Sequence, residues 1–422
     1  MATVLVLARE VPYPPNAGDR VVTHGFVRGL ARRGHAVHVL ALGRESDRER
    51  AAALAEVAAS VRLVPRAKSR LPARLRKLRN YAAGRSDVMA MFETPGLART
   101  AASRIRALAP DAVLAQHPYV GQAFRDDAVY RAADAVGTHL VTNAHVVEFA
   151  VHRRYRDLAP AFPTRAELAV ETPRLRREEL ATYEAADRVL VLGSEDRAEL
   201  ADAELSTPVA VQHVALDPGE YEPCHADSGP EVSGPESASA RTGGSATDLL
   251  FFGSYGWFPN EDAITAFADE AFPLIRRARP DARLRVAGRD APESVRELDA
   301  RPGVEFVGEL ADLGRAVRDA AVVLAPLRIG GGTRLKVLEA MAWGAPVLTT
   351  PAGFEGVDAR PGADVAVADG WPAFAATAVE LLDSPARRAR LGRNARRRIE
   401  QVYALDEAAA ELEANLGLDR VE

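Results

Sequence analysis

The stretch RIGGGTRLKVLEAMAWGAPVLTT, residues 328–350, sets three glycines in front of a cation and a carboxylate. Gly330, Gly331 and Gly332 let the backbone approach a ligand closely. A helix starting just after them offers unpaired N–H groups and a partial positive charge to an anion. Thr333 is placed to cap that helix. Lys336 and Glu339, three residues apart, are neighbours on its surface. A cation near phosphate and a carboxylate accepting from sugar hydroxyls suit a nucleoside diphosphate. A tight left-handed turn followed by an ordinary Lys–Glu surface pair accounts for the same residues equally well. The spacing fits neither the Walker loop nor the G-x-G-x-x-G fingerprint. Leu335, Val337, Leu338 and Met341 read as core.

The elements that must carry this loop alternate short apolar strands with helical patterns, as parallel sheets built from βαβ units do. Expected strands in the first half are Thr3–Ala8, Ala36–Leu40, Val61–Val64, Ala112–Ala115, Leu140–Asn143 and Arg188–Leu192. In the second half they are Leu249–Gly253, Arg283–Ala287, Val304–Val307, Val322–Ala325, Val347–Thr349 and Val365–Ala368, followed by a long helical stretch Trp371–Tyr403. Residues 225–247, rich in Ser, Gly, Pro and Ala, interrupt the pattern as a loose connection. The expected class is α/β, with two doubly wound Rossmann-like domains facing across a cleft. The first spans 1–215, a linker 216–247, the second 248–400, and a terminal helix at 401–422 packs back on the first. Such sheets bind ligands at the carboxyl ends of their strands.

Composition narrows the class. Of 422 residues, 47% are apolar, so the chain is globular. A net charge of −5 argues against bulk nucleic-acid binding. The single Cys224 excludes an intramolecular disulfide framework and fits a reducing compartment. No apolar run approaches the roughly 20 residues that cross a bilayer, and ATVLVLA at the start reads as a buried strand rather than a signal peptide.

With the loop placed after the strand AAVVLAPL, the stretch VVLAPLRIGGGTRLKVLEAMAWGAPVLTTPAGFEGV resembles the donor-binding signature of GT-B glycosyltransferases of the retaining family 4, or group 1, type. PYPPNAGDRVVTHGFVRGLARRGHAVHVLAL is similar to that family's first loop and helix, TNAHVVE to its His-Asn-x-Glu-type stretch, YEAADRVLVLGSEDRAEL to the segment closing its first domain, and FFGSYGWFPNEDAITAFADEAFPLIRRARPDARLRVAG to the start of its second. The resemblance implies a nucleotide-sugar donor in the second domain and an acceptor in the first. It assigns Glu339 to the ribose, and Gly331, Gly332 and Thr333 to backbone contacts with the diphosphate and sugar. Many relatives carry another glutamate where this chain has Gly331, which removes a sugar contact. Relatives often also carry an Arg and a Lys after the glycine of the second domain's first strand. Here Gly253-Ser254-Tyr255-Gly256-Trp257-Phe258-Pro259-Asn260 has no cation, so Arg334 and Lys336 are expected to supply it, with Arg289 a weaker candidate. In the first domain the resemblance brings Gly18 near the donor phosphate, with Asp19 and Arg20 beside it. It makes His117, and His145 with Glu148, candidates for the reacting centre. His24, His35 and His38 read as structural or surface residues.

No Asp-x-Asp motif is present, so no metal or other cofactor is expected. Retention at the anomeric carbon follows from the resemblance alone. From Arg62 to Arg85 the chain holds nine Arg/Lys and no acid, with Leu71, Leu75 and Leu78 at helical spacing. That is either a solvated surface helix or an amphipathic one suited to an anionic membrane surface. Since many relatives glycosylate glycans or lipid-linked acceptors, the expected location is cytoplasmic, with peripheral attachment to the inner membrane face. Two further readings stay open: a sugar-nucleotide epimerase of the same fold, and a catalytically silent protein that binds a nucleotide sugar or a glycan.

Overall fold

A computed structural model describes residues 1–66, 71–158, 164–224 and 247–418. Most of the expected linker, 225–246, lies outside the described residues, as does part of the basic stretch, 67–70. The chain divides into two compact units. The first comprises Met1–Leu216, Gly331–Thr333 and the chain from Tyr403 on; the second comprises Asp217–Gly330 and Arg334–Val402.

The first unit is built on β1 Thr3–Ala8, β2 Ala36–Gly43, β3 Ser60–Pro65, β4 Ala112–Gln116, β5 His139–Ala144, β6 Arg188–Val191 and β7 Val209–Val211. Their order is β3-β2-β1-β4-β5-β6-β7 and all pairs are parallel. β1, β4 and β5 are buried along nearly their whole length, and β1 and β4 are also mostly apolar, as strands covered on both faces tend to be. The direction of winding reverses between β1 and β4, where Ala8 pairs with Gln116. β7 had no counterpart in the sequence pattern, because it is only three half-buried residues long. The helix Leu405–Leu416 packs on the helix Gly18–Arg32. A Cβ at Gly29 would come within 2.8 Å of the Ala409 Cβ, so a glycine is needed there.

The second unit repeats the plan with β8 Asp248–Phe252, β9 Arg283–Ala287, β10 Val304–Gly308, β11 Val322–Ala325, β12 Val347–Thr349 and β13 Ala366–Val367, in the parallel order β10-β9-β8-β11-β12-β13. Its reversal lies between β8 and β11. Phe251, Phe267, Phe272 and Phe374 fill its core. The expected long helical stretch 371–403 is divided into two helices, Trp371–Asp383 and Pro385–Arg398, followed by a π-helical turn Ile399–Tyr403. Pro385 cannot continue the first helix, and the Ser384 hydroxyl accepts from Arg387 N to start the second.

Candidate functional site

In the first unit the carboxyl ends of β4 and β5 bring His117 and His145 together, with ring centroids 4.0 Å apart. Both are buried, at 5% and 7% exposure. Gln116 Oε1 accepts from Asn143 Nδ2 at 2.9 Å and from His145 Nε2 at 2.6 Å. That leaves a set of buried polar atoms without a hydrogen-bond partner: both His117 ring nitrogens, His145 Nδ1, Gln116 Nε2 and Asn143 Oδ1. Orphans of this kind are rare in folded proteins, and their concentration at a strand-end switch point marks a place where a ligand or water completes the network. His117 also has φ +83° and ψ 147°, a backbone region that essentially only glycine occupies. Such strain costs about 1–3 kcal/mol and persists only where the surrounding structure over-determines it.

Burial holds His117 well below its usual range and brings His145 down to about 3, with Arg9 adding to both effects. Each ring is therefore neutral at pH 7 and offers one donor and one acceptor. Beside them Arg9 pairs with Asp19 at 2.6 Å; burial would raise the Asp19 carboxyl, but the Arg9 guanidinium outweighs it and holds it below its usual range. Gly18 is exposed at the start of its helix, whose N-cap Ala17 supplies no side-chain bond. Arg20 pairs with Glu10 at 2.5 Å. The Tyr119 ring stacks on His117 at 5.5 Å and its hydroxyl donates to Glu148 Oε1 at 2.5 Å. The helix Glu148–Leu158 is in turn held by Glu179, which accepts from Glu148 N, Phe149 N and the Tyr183 hydroxyl. Burial, and next the neighbouring Glu148, push the Glu179 carboxyl up to about 8.

Gly331–Thr333 group with this unit. A Cβ on Gly331 would stand 2.4 Å from Val151 Cγ2 and 2.5 Å from Val146 Cγ2, and one on Gly332 2.2 Å from His145 O. Val146 and Val151 thus occupy the space of a side chain at 331. Gly331→Glu is expected to destabilise the fold by about 1–3 kcal/mol through overpacking. Adding Val146→Ala and Val151→Ala should recover part of that loss in chemical denaturation. Thr333 does not cap the following helix. Its hydroxyl donates to Leu192 O at 2.7 Å, and the helix begins one residue later than that role requires, at Leu335 with Arg334 in the cap position.

In the second unit the ammonium of Lys336 lies at the carboxyl end of β8. It donates to Asn260 Oδ1 at 2.5 Å, sits 4.2 Å from the centre of the Phe251 ring and would be 3.1 Å from a Cβ on Gly253. Asn260 Nδ2 donates to Ser254 O at 2.7 Å, so one asparagine fixes both the loop and the lysine. The loop that lacks its own cation therefore receives one from the neighbouring helix. Burial, and then the nearby Arg334, bring the Lys336 ammonium down to about 7. Glu339 is half-buried, and burial pushes it up to about 7 against the attraction of Lys336. Its carboxyl oxygens have no hydrogen-bond partner among the described residues.

Arg334 is placed differently. It is 3% exposed, donates to Ala352 O at 2.8 and 3.1 Å and pairs with Glu355 at 3.2 Å. It ties the helix start to the turn at 351–355, and its charge disfavours the Lys336 ammonium. Arg289 pairs with Asp290 at 3.9 Å. Among the described residues no cluster of three or more His, Cys, Asp or Glu is placed to hold a metal ion. The sequence did not mark Asn260, Gln116, Asn143, Tyr119 or Glu179. Asn143 and Asn260 fall inside stretches that carry the resemblance, but the partners that give them a role, Gln116 and Lys336, lie 27 and 76 residues away.

Residues 246–384 match the family model described as glycosyl transferases group 1. No curated protein matches the chain. Among solved structures it is similar to HepE of Anabaena in complex with UDP and glucose, at 14% identity and TM-score 0.64 over 100% of both chains. It is also similar to sucrose-phosphate synthase of Thermosynechococcus elongatus (15%, TM-score 0.67, 98% of each chain) and to a glycosyltransferase of Rickettsia africae (12%, TM-score 0.64, 100% of this chain and 99% of that one). At these identities the likeness shows the fold, the two-domain Rossmann-like GT-B arrangement. The resemblance first visible in the glycine loop agrees with the family model matched by residues 246–384 and with the fold of the whole chain.

Proposed function

We propose that this protein is a glycosyltransferase, moving a sugar from a nucleotide-sugar donor held by the second unit to an acceptor hydroxyl of a glycan or lipid-linked glycan at the first. The observation that carries this reading is the pairing of Lys336, drawn to the end of β8 by Asn260, with an unpartnered Glu339 on the same helix. The ammonium faces the place where a diphosphate meets backbone N–H groups, and the carboxylate accepts from ribose hydroxyls.

In the reaction the bond from the anomeric carbon to the diphosphate oxygen breaks and one to the acceptor oxygen forms, while the acceptor proton passes to the departing diphosphate. Positive charge spreads over the sugar ring and negative charge grows on the leaving group. A preorganised cation and backbone donors stabilise that change more than they stabilise the bound donor. The chain's own cation supports transfer without a bound metal, and the family resemblance supports retention of configuration. The two histidines, neutral at pH 7, serve as hydrogen-bond partners for sugar hydroxyls rather than as bases. Thermal-shift screening against nucleoside diphosphates and their sugars, in EDTA, tests the reading. Stabilisation by at least one diphosphate, and slow release of free sugar from its conjugate, are expected. No response across UDP, GDP, ADP and TDP and their sugars would overturn it.

The location proposed is peripheral, on an anionic membrane face. No helix among the described residues is long and apolar enough to cross a membrane. The helix Ala73–Ala82 starts after Pro72, so Leu71 precedes it. Leu75 and Leu78 are 54% and 66% exposed beside Arg74 and Arg79, while Arg76 is held by Asp87 at 2.9 Å and Lys77 pairs with Glu167. Exposed leucines flanked by cations suit an interfacial contact. Flotation with liposomes containing anionic lipid should carry the protein up at low salt. Equal flotation with neutral liposomes, or none, would contradict it.

A further inference from the structure

The first unit contains a groove of about 600 Å³ that the donor chemistry does not use. It opens at the carboxyl edge of the sheet, where the helices Pro95–Leu108 and Asp127–Val136 begin. Small-ligand pockets run from roughly 300 to 1,000 Å³, so this one admits more than a single sugar ring.

Its lining is charge-balanced. Arg85, Arg125 and Arg177 face Glu93, Asp126 and Glu178. Arg85 pairs with Glu93 at 2.6 Å and stands 3.6 Å from Glu178; Arg177 is 3.9 Å from Glu178 and donates to Gly84 O. A strongly anionic ligand would meet three carboxylates there and a cationic one three guanidinium groups, so neither finds a favourable field.

Two buried polar atoms on the wall are unsatisfied. Thr94 Oγ1 makes no hydrogen bond, Glu178 Oε2 has only the Arg85 guanidinium at 3.6 Å, beyond hydrogen-bond distance, and the two residues are 7% and 6% exposed. Thr94 occupies the cap position of its helix without using its hydroxyl to cap it. Glu178 spends its other oxygen on Ser86 N at 2.9 Å. An apolar ligand would leave the threonine hydroxyl unpaired and the carboxylate oxygen short of a hydrogen bond, at a cost. A polyhydroxylated ligand satisfies both, donating to the carboxylate and exchanging a hydrogen bond with the threonine. The Tyr119 ring lines the groove and stacks on His117. A chain lying in the groove therefore ends beside the histidine pair.

We propose that this groove binds an uncharged carbohydrate chain and is the acceptor subsite, so that the acceptor near its reactive hydroxyl is a neutral glycan rather than a uronate or a phosphorylated headgroup. Its assignment as an acceptor subsite rests on the transferase reading; the binding chemistry does not.

Saturation-transfer NMR on the full chain, with maltotriose, cellotriose, chitotriose and the anionic trigalacturonate as probes, tests it. At least one neutral trisaccharide should bind. Thr94→Val, which removes a hydroxyl that has no protein partner, should weaken that binding about fivefold, as one lost hydrogen bond does. Ala181→Phe, which fills the groove, should abolish it. Failure of every neutral trisaccharide to bind, equal binding to both variants, or tighter binding of trigalacturonate would overturn the proposal. UDP stabilisation of the wild-type protein reports on the transferase reading separately. Trisaccharide binding without any nucleotide response would keep the groove as a glycan site and remove only its role as an acceptor subsite.

Discussion

Replacing Lys336 by methionine is expected to lower transfer about 100- to 1,000-fold, the usual cost of losing one preorganised donor to a developing anion. Its sharper signature is in protons. Burial brings the Lys336 ammonium down and the Glu339 carboxyl up, each to about 7, so both change protonation state close to neutral pH. A bound diphosphate stabilises the ammonium, so Lys336 takes up a proton on binding. Ribose hydroxyls donating to Glu339 stabilise the carboxylate, so that residue releases one. In the wild type the two nearly cancel at pH 7, and calorimetry in buffers of different ionisation enthalpy should give similar heats. In Glu339→Gln only uptake remains, and diphosphate affinity should fall as pH rises from 7 to 9, by up to about tenfold per unit. In Lys336→Met only release remains, and affinity should fall as pH drops from 7 to 5. Identical proton linkage in all three proteins would remove both residues from the nucleotide site.

His117→Gly separates function from stability. The imidazole sits at φ +83° with both nitrogens buried and unpartnered, so the free protein bears backbone strain and unsatisfied polar groups on its account. Glycine occupies that conformation freely. The variant should therefore melt at or above the wild-type temperature while turnover falls about 100-fold or more, as removal of a positioned polar group at a reacting centre does. His117→Ala should lose similar activity but keep the strain and gain no stability. Because burial holds the ring neutral, the wild-type rate should show no change between pH 5.5 and 7.5 that His117→Gly abolishes. A variant that melts well below the wild type would show that His117 serves the fold instead.

Much of this architecture is legible in the residues, for reasons that differ by element. Strands buried on both faces announce themselves as apolar runs, which is why β1, β11 and β12 end where the pattern ends. β7 is half-buried and three residues long, too short for any period. The break at Ser384-Pro385 was written in ordinary capping chemistry, but the apolar spacing continued through it. At the site, local signals reach only as far as a single loop or helix. Gly331, Gly332, Lys336 and Glu339 fall within one turn-and-helix unit and can be read together. Asn260 acquires meaning only when the sheet order brings β8 beside β11, 76 residues away along the chain from Lys336. Gln116 and Asn143 look like polar ends of strands until the pairing of β4 with β5 joins them under His145. Thr333 fits a cap by spacing, yet its hydroxyl serves Leu192 O, a contact made with residues 141 positions away.

The account stands most directly on where a nucleoside diphosphate binds. Hydrogen exchange of the full chain, with and without whichever of UDP, GDP, ADP and TDP stabilises it most, locates that site without requiring the acceptor. Slowed exchange is expected in two segments of the second unit, Gly253–Asn260 at the end of β8 and Leu335–Glu339 on the helix after the glycine loop, and it should vanish in Lys336→Met at the same nucleotide concentration. Protection confined to other segments, or unchanged in that variant, would contradict the account.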